Sequence, residues 1–197
     1  MVLFERPDRG SIKAFISGQT GGGFSYASVG ATQGDPPAEF VVDHNRIELG
    51  RGESVFDAGC RSIKEWKMFE LGWVEVFPPD SAIVPGTCVA VLARIFGLWF
   101  LNACRIVYTI DEGGPVRKFG FAYGTLQDHV ESGEERFTVE WHSHDDSVWY
   151  DLLAFSRPNQ FLARIGYPVA RRLQKRFAAD SKQAMLRHSR ALQSENA

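Results

Sequence analysis

Six strand-like runs follow one another through the middle of the chain, over residues 73–77, 87–96, 102–110, 116–126, 134–141 and 147–155. Short turn sequences (PPD, PG, FGLW, DEGGP and HSHDD) separate them, and links this short make antiparallel neighbours. Upstream, residues 39–49 read as a further strand, closed by Gly50-Arg51-Gly52. Between them lies a helical stretch, 53–69, with Phe56, Gly59, Ile63 and Trp66 on one stripe and Asp57, Arg61, Lys64 and Lys67 around it. Gly59 is the expected point at which this helix bends or divides. Beyond Ser156-Arg157-Pro158 the pattern turns helical to about Arg190. Its apolar stripe is Leu162, Ile165, Val169, Leu173 and Phe177, with Pro168 at a kink or restart. Near the start, residues 7–17 predict a short helix carrying Ile12, Phe15 and Ile16. The glycine-rich run 18–23 ends it and lacks the Lys-Ser/Thr pair of a phosphate loop, so it reads as a connector. Residues 24–32 read as a short extended piece, broken by QGDPP at 33–37.

These elements predict an α+β fold: about seven antiparallel strands and one long C-terminal helix. A sheet that wide twists and curls, and its concave apolar face must be covered. The terminal helix is the element long enough to cover it. In element order this resembles the helix-grip fold of the START and birch-pollen-allergen-like superfamily, whose members hold lipophilic ligands between sheet and helix. The expected division is an N-terminal helix and connector over 1–25, a single domain over 26–190 and a frayed tail over 191–197.

Composition narrows the function classes. A formal net charge of −2 argues against bulk attraction to nucleic acid. Cys60, Cys88 and Cys104 are odd in number and share no metal-type spacing, so they read as free thiols in a reducing compartment. No apolar run reaches the length of a membrane helix and the first residues carry no apolar signal core, so a cytoplasmic protein without a transmembrane segment is expected.

The densest chemistry lies between Phe119 and Phe137, where Tyr123, Thr125, His129, Glu134 and Glu135 gather near two strands and their loop. Strand alternation puts Glu135 on one face with Phe137, Val139 and Trp141, and Glu134 on the other. A carboxylate on an aromatic face needs a partner, for which Arg157 or Arg105 is the expectation. Three readings fit the cluster. It is an ion-pair and turn network, or it orients the polar head of an apolar ligand, or His129 and Glu135 move protons in a hydrolase or cyclase-like reaction. The last lacks a nucleophile with a base behind it. Trp99 follows Gly97 in an expected turn, where a large ring has reason to close over a ligand. The HSHDD run can place His142 and His144 on one face for a metal, yet it also sits where a hairpin turn is required. The terminal helix is basic, and Arg171, Arg172, Lys175 and Arg176 offer a contact to an anionic surface.

Specific words then carry a family resemblance: YASVGAT at 26–32, LGRG at 49–52 followed by Phe56 and Ala58, FGFAYGTL at 119–126, His129, Gly133-Glu134-Glu135 with Phe137, and Ser156-Arg157. Over most of its length the chain resembles a bacterial and plant family catalogued as domain of unknown function nineteen-ninety. That resemblance implies no reaction, cofactor or metal. The functional expectation is therefore a small hydrophobic or amphipathic ligand, held by Tyr123, Thr125, His129, Glu135, Trp141, Arg157, Trp99 and Arg105. An enzyme and a docking module working through the basic helix are the alternatives.

Overall fold

The computed structural model describes residues 1–159 and 167–194. In chain order the elements are β1 (Val2–Leu3), α1 (Arg9–Gln19), β2 (Val41–Arg51), α2 (Glu53–Lys64), β3 (Val74–Phe77), β4 (Cys88–Ile95), β5 (Leu98–Glu112), β6 (Val116–Thr125), β7 (Glu131–His142), β8 (Ser147–Pro158) and α3 (Tyr167–Ser194). The strands form one antiparallel sheet in the order β2-β8-β7-β6-β5-β4-β3. The eighth strand, β1, was not expected. It pairs with the first residues of β5, beside Trp99 and Phe100, where β6 does not reach.

Alternation decides what each face carries. Phe121, Phe137, Val139, Tyr150 and Leu152 point inward and pack with Phe56, Ile63, Trp66 and Phe69 from α2 and the turn after it. Helix α3 closes the same concave side, packing on α2, on that turn and on β2. Trp73 Nε1 donates to Asp180 at 2.8 Å, Arg171 forms a double hydrogen bond with Asp43, and Lys182 reaches Asn45. These contacts hold the helix across the hollow. The arrangement is the helix-grip fold that the order of elements predicts, a curved antiparallel sheet closed by a long C-terminal helix. Among the described residues no helix is long and apolar enough to cross a membrane.

The convex face is covered as well. Helix α1 lays Ile12 on Phe77, Leu92 and Leu101. The connector after it crosses β6 to β8, with Tyr26 and Phe40 set edge-on to Phe155. Glu134 fastens it by accepting from Tyr26 Oη at 2.7 Å, Gly30 N at 2.7 Å, Thr32 N at 3.0 Å and the Thr32 hydroxyl.

Several expectations change. The helix over 53–69 divides at Trp66, which takes a left-handed φ of 56°, and not at Gly59. Gly59 lies inside α2 because a Cβ there would sit 2.9 Å from Val139 Cγ1; the helix packs too closely on β7 for a side chain. The turn between β4 and β5 is Phe96-Gly97, and Trp99 is inside β5. The HSHDD run makes the β7–β8 turn, with Asp145 accepting from the Ser147 N–H and hydroxyl. Helix α3 continues to Ser194, four residues past the expected end. Leu162 and Ile165 of the expected stripe lie outside the described residues.

Candidate functional site

A cavity of about 810 Å³ lies between the sheet and α3. Its apolar wall includes Phe69, Trp73, Phe100, Tyr123, Leu152 and Phe177. Val169 and Leu173 from the expected stripe of α3 add to it. Its polar groups come from β7 and the strands beside it, because the inward positions of β7 are Glu131, Gly133 and Glu135. In register with Glu135 are Tyr123 on β6 and Ala154 on β8, and beyond Ala154 comes Asp43 on β2.

Glu135 accepts from Tyr123 Oη at 2.7 Å. Burial raises its carboxyl to about 7; the Tyr123 hydrogen bond opposes that rise, and the charges of Glu131 and Asp43 add to it. Glu131 accepts from Gln174 Nε2 at 2.6 Å, and burial raises its pKa too. Asp43 is held by Arg171, which also bonds Gln174. His129 accepts the Glu131 N–H on Nδ1 at 3.0 Å, so its ring proton sits on Nε2. Burial pulls its pKa down to about 4, and the ring is neutral at pH 7. Thr125 Oγ1 is within 2.6 Å of Ser25 Oγ, accepts from Gly133 N and donates to Gly133 O, which leaves it no free role as a nucleophile.

Of the eight residues expected at the site, the structure brings Tyr123, Thr125, His129 and Glu135 to the cavity. The other four lie elsewhere. Arg105 projects from the outer face and donates to the carbonyls of Gln19, Thr20 and Gly22, closing the C-terminal end of α1. Arg157 stacks over Phe40, also outside. Trp99 packs beside α1 under Arg6. Trp141 is inward, but at the far end of β7, against Phe56, and its Nε1 donates to Asp146. Neither arginine meets Glu135; the partner is Tyr123. Two of the four basic residues on α3 are also engaged within the chain, Arg171 with Asp43 and Arg176 with Asp180. Asp43, Glu131 and Gln174 escaped the sequence reading. Glu131 was within reach of it, because the period of two that carries Glu135 inward carries Glu131 with it.

The titration of Glu135 makes a first prediction. From its ordinary pKa near 4.5 up to about 7, the folded protein keeps a proton that the unfolded chain has released. Stability therefore falls as pH rises through that window. His129 acts oppositely: its folded pKa lies below the ordinary 6.5, so its contribution rises with pH between about 4 and 6.5. Glu135→Gln is expected to exceed the parent protein in stability at pH 8 by about 2 kcal/mol and to lose that advantage at pH 5. Thermal unfolding at the two pH values measures it. A variant less stable at pH 8 would contradict the assignment of Glu135 as a desolvated, cation-free acid.

The chain is 37% identical over 206 residues to a UPF0548 protein of Dictyostelium discoideum, covering 95% of each. It is 33% identical over 156 residues to a UPF0548 protein of Arabidopsis thaliana, covering 77% of this chain and 75% of that one. A crystal structure of a hypothetical protein from Helicobacter pylori superposes with a TM-score of 0.51 at 10% identity, covering 77% of this chain and 88% of the other, which bears on the fold alone. Human STARD10 gives a TM-score of 0.46 at 14% identity over 96% of this chain and 84% of its own. The model of one family, described as domain of unknown function (DUF1990), matches residues 25–184, and the chain belongs to that family.

Proposed function

We propose that this protein binds a small hydrophobic or amphipathic molecule between its sheet and α3. The observation that carries this reading is the cavity of about 810 Å³. Close-packed interiors leave voids little larger than a water, whereas small-molecule sites occupy about 300–1,000 Å³. An apolar wall with a few convergent polar groups is the chemistry such a site requires.

Ala154 is the residue to fill, since it lines the cavity between Glu135 and Asp43. Ala154→Phe is expected to weaken binding of the neutral fluorophore N-phenyl-1-naphthylamine at least about tenfold, with the melting temperature within a few degrees of the parent. Binding unchanged by this substitution would place the probe elsewhere and count against the proposal. Native mass spectrometry of freshly purified protein gives an independent reading, with an adduct expected on the parent and lost on the variant.

Proton-transfer chemistry is the second reading, favoured by a Glu135 carboxyl poised at about 7 and hydrogen-bonded to Tyr123. Against a hydrolase that works through a covalent intermediate stands the engaged Thr125 hydroxyl, which leaves the cluster without a nucleophile. Binding is the function that the geometry supports best.

A further inference from the structure

The charges that face the cavity do not balance. Asp43, Glu131 and Glu135 supply three carboxyl groups. Arg171 bonds the Asp43 carboxylate through both terminal nitrogens, and its charge also acts on Glu131, which takes a hydrogen bond from Gln174. Glu135 has only the neutral Tyr123 hydroxyl. Among the described residues, no lysine, arginine or protonated histidine pairs with it. From β5 the titratable group that feels its charge is Cys104 and from β8 it is Tyr150, both fully buried and neutral. From the loop before β7 it is His129, a neutral ring, and from α3 Lys175 lines the cavity but is exposed to solvent. The walls around this carboxyl are aromatic: Phe69 makes tilted ring contacts with both Tyr123 and Phe177, and Phe137 meets Tyr123 edge-on. Aromatic faces attract cations, more so when water is excluded.

We infer that the cavity is built for an amphipathic amine, whose ammonium head pairs with Glu135 while its apolar body fills the space between the sheet and α3. This rests on the binding reading above and names the ligand class for the same site. The pairing supplies the cation that the chain itself withholds. A buried carboxylate left alone is costly, and an ammonium carrying its own apolar tail satisfies it without opening the cavity to water. Because burial raises the Glu135 carboxyl to about 7, an ammonium guest must displace its proton at lower pH. Affinity for an amine therefore rises with pH up to about 7 and levels above it.

The test compares three probes of one length, decylamine, decan-1-ol and decanoate, below their micelle concentrations, by calorimetry on the full chain. At pH 8 the parent protein is expected to bind decylamine at least about tenfold more tightly than decan-1-ol, and decanoate more weakly than either. Amine affinity should drop by up to about tenfold for each pH unit below 7, while decan-1-ol stays level. In Glu135→Gln both the amine preference and its pH dependence should vanish, with decan-1-ol still bound as a check on the fold. Equal affinity for all three probes, or an amine preference that survives Glu135→Gln, overturns the amine assignment and leaves the cavity reading standing. Failure of the folded parent to bind any of the three, or N-phenyl-1-naphthylamine, overturns the cavity reading itself.

Discussion

Glu134→Ala is expected to cost about 3–5 kcal/mol of stability and to free the stretch from Phe24 to Phe40 for proteolysis. One carboxylate holds that stretch on the convex face, and every donor it takes is uncharged: the Tyr26 hydroxyl, the N–H groups of Gly30 and Thr32, and the Thr32 hydroxyl. Gly30 makes this convergence possible with a φ of 87°, which turns its own N–H and that of Thr32 toward one point. Glu134 and Thr32 are essentially buried, so the donors that lose their acceptor gain little from water. Tyr26 and Phe40 would then lose their hold on Phe155. Urea denaturation measures the stability, and limited proteolysis followed by mass spectrometry locates the released segment. A variant within about 1 kcal/mol of the parent would show that the aromatic packing and the remaining hydrogen bonds, such as Arg136 Nη1 to the Thr32 carbonyl at 2.8 Å and Ser132 Oγ to the Ser25 carbonyl at 2.9 Å, hold the connector without it.

Gly133→Ala is expected to be nearly as damaging, at about 3 kcal/mol. The reason is neither flexibility nor a left-handed backbone. A Cβ at Gly133 would lie 1.9 Å from the Phe155 carbonyl oxygen and 2.9 Å from Ser156 Cα, both backbone atoms of the neighbouring strand. Relief would require β7 and β8 to separate where they pair, next to both Glu134 and Glu135. Gly120 repeats the situation, 2.1 Å from the Phe137 carbonyl oxygen. Gly18 provides the contrast: nothing lies within 4 Å of its Cβ position inside α1. Gly18→Ala should leave stability unchanged or raise it by about 0.5 kcal/mol. Thermal unfolding of the two variants side by side separates close approach from a general effect of losing glycine. Equal melting temperatures would remove the steric account.

The period of two along the strands was enough to place Glu135 inward and Glu134 outward, and the order of elements was enough for the sheet and its covering helix. Partners were harder to read, because alternation assigns a face without saying which side chain waits there. Arg105 and Arg157 were matched to Glu135 by charge alone, although Leu152, Ala154 and Ser156 already send Arg157 outward by their own alternation. Tyr123 became the partner through register between β6 and β7, a long-range quantity that no local pattern contains. Strand β1 was invisible for another reason: two residues cannot display a period, and its pairing depends on β6 stopping short of Trp99. The break in the second helix was assigned to glycine on propensity, whereas packing on Val139 demanded that glycine and tertiary contacts set Trp66 apart.

Back-to-back carboxylates on β7 impose a rule on how this chain can vary in length. Adding or deleting one residue between Glu131 and Glu134 would exchange the two faces of the strand downstream of the change. The anchor of the outer connector would turn into the hollow, and the acid of the hollow would turn under the connector. Both would fail at once, and no single compensating substitution restores them. Insertions and deletions among relatives should therefore collect in the loops at either end of β7 and leave the strand itself at constant length.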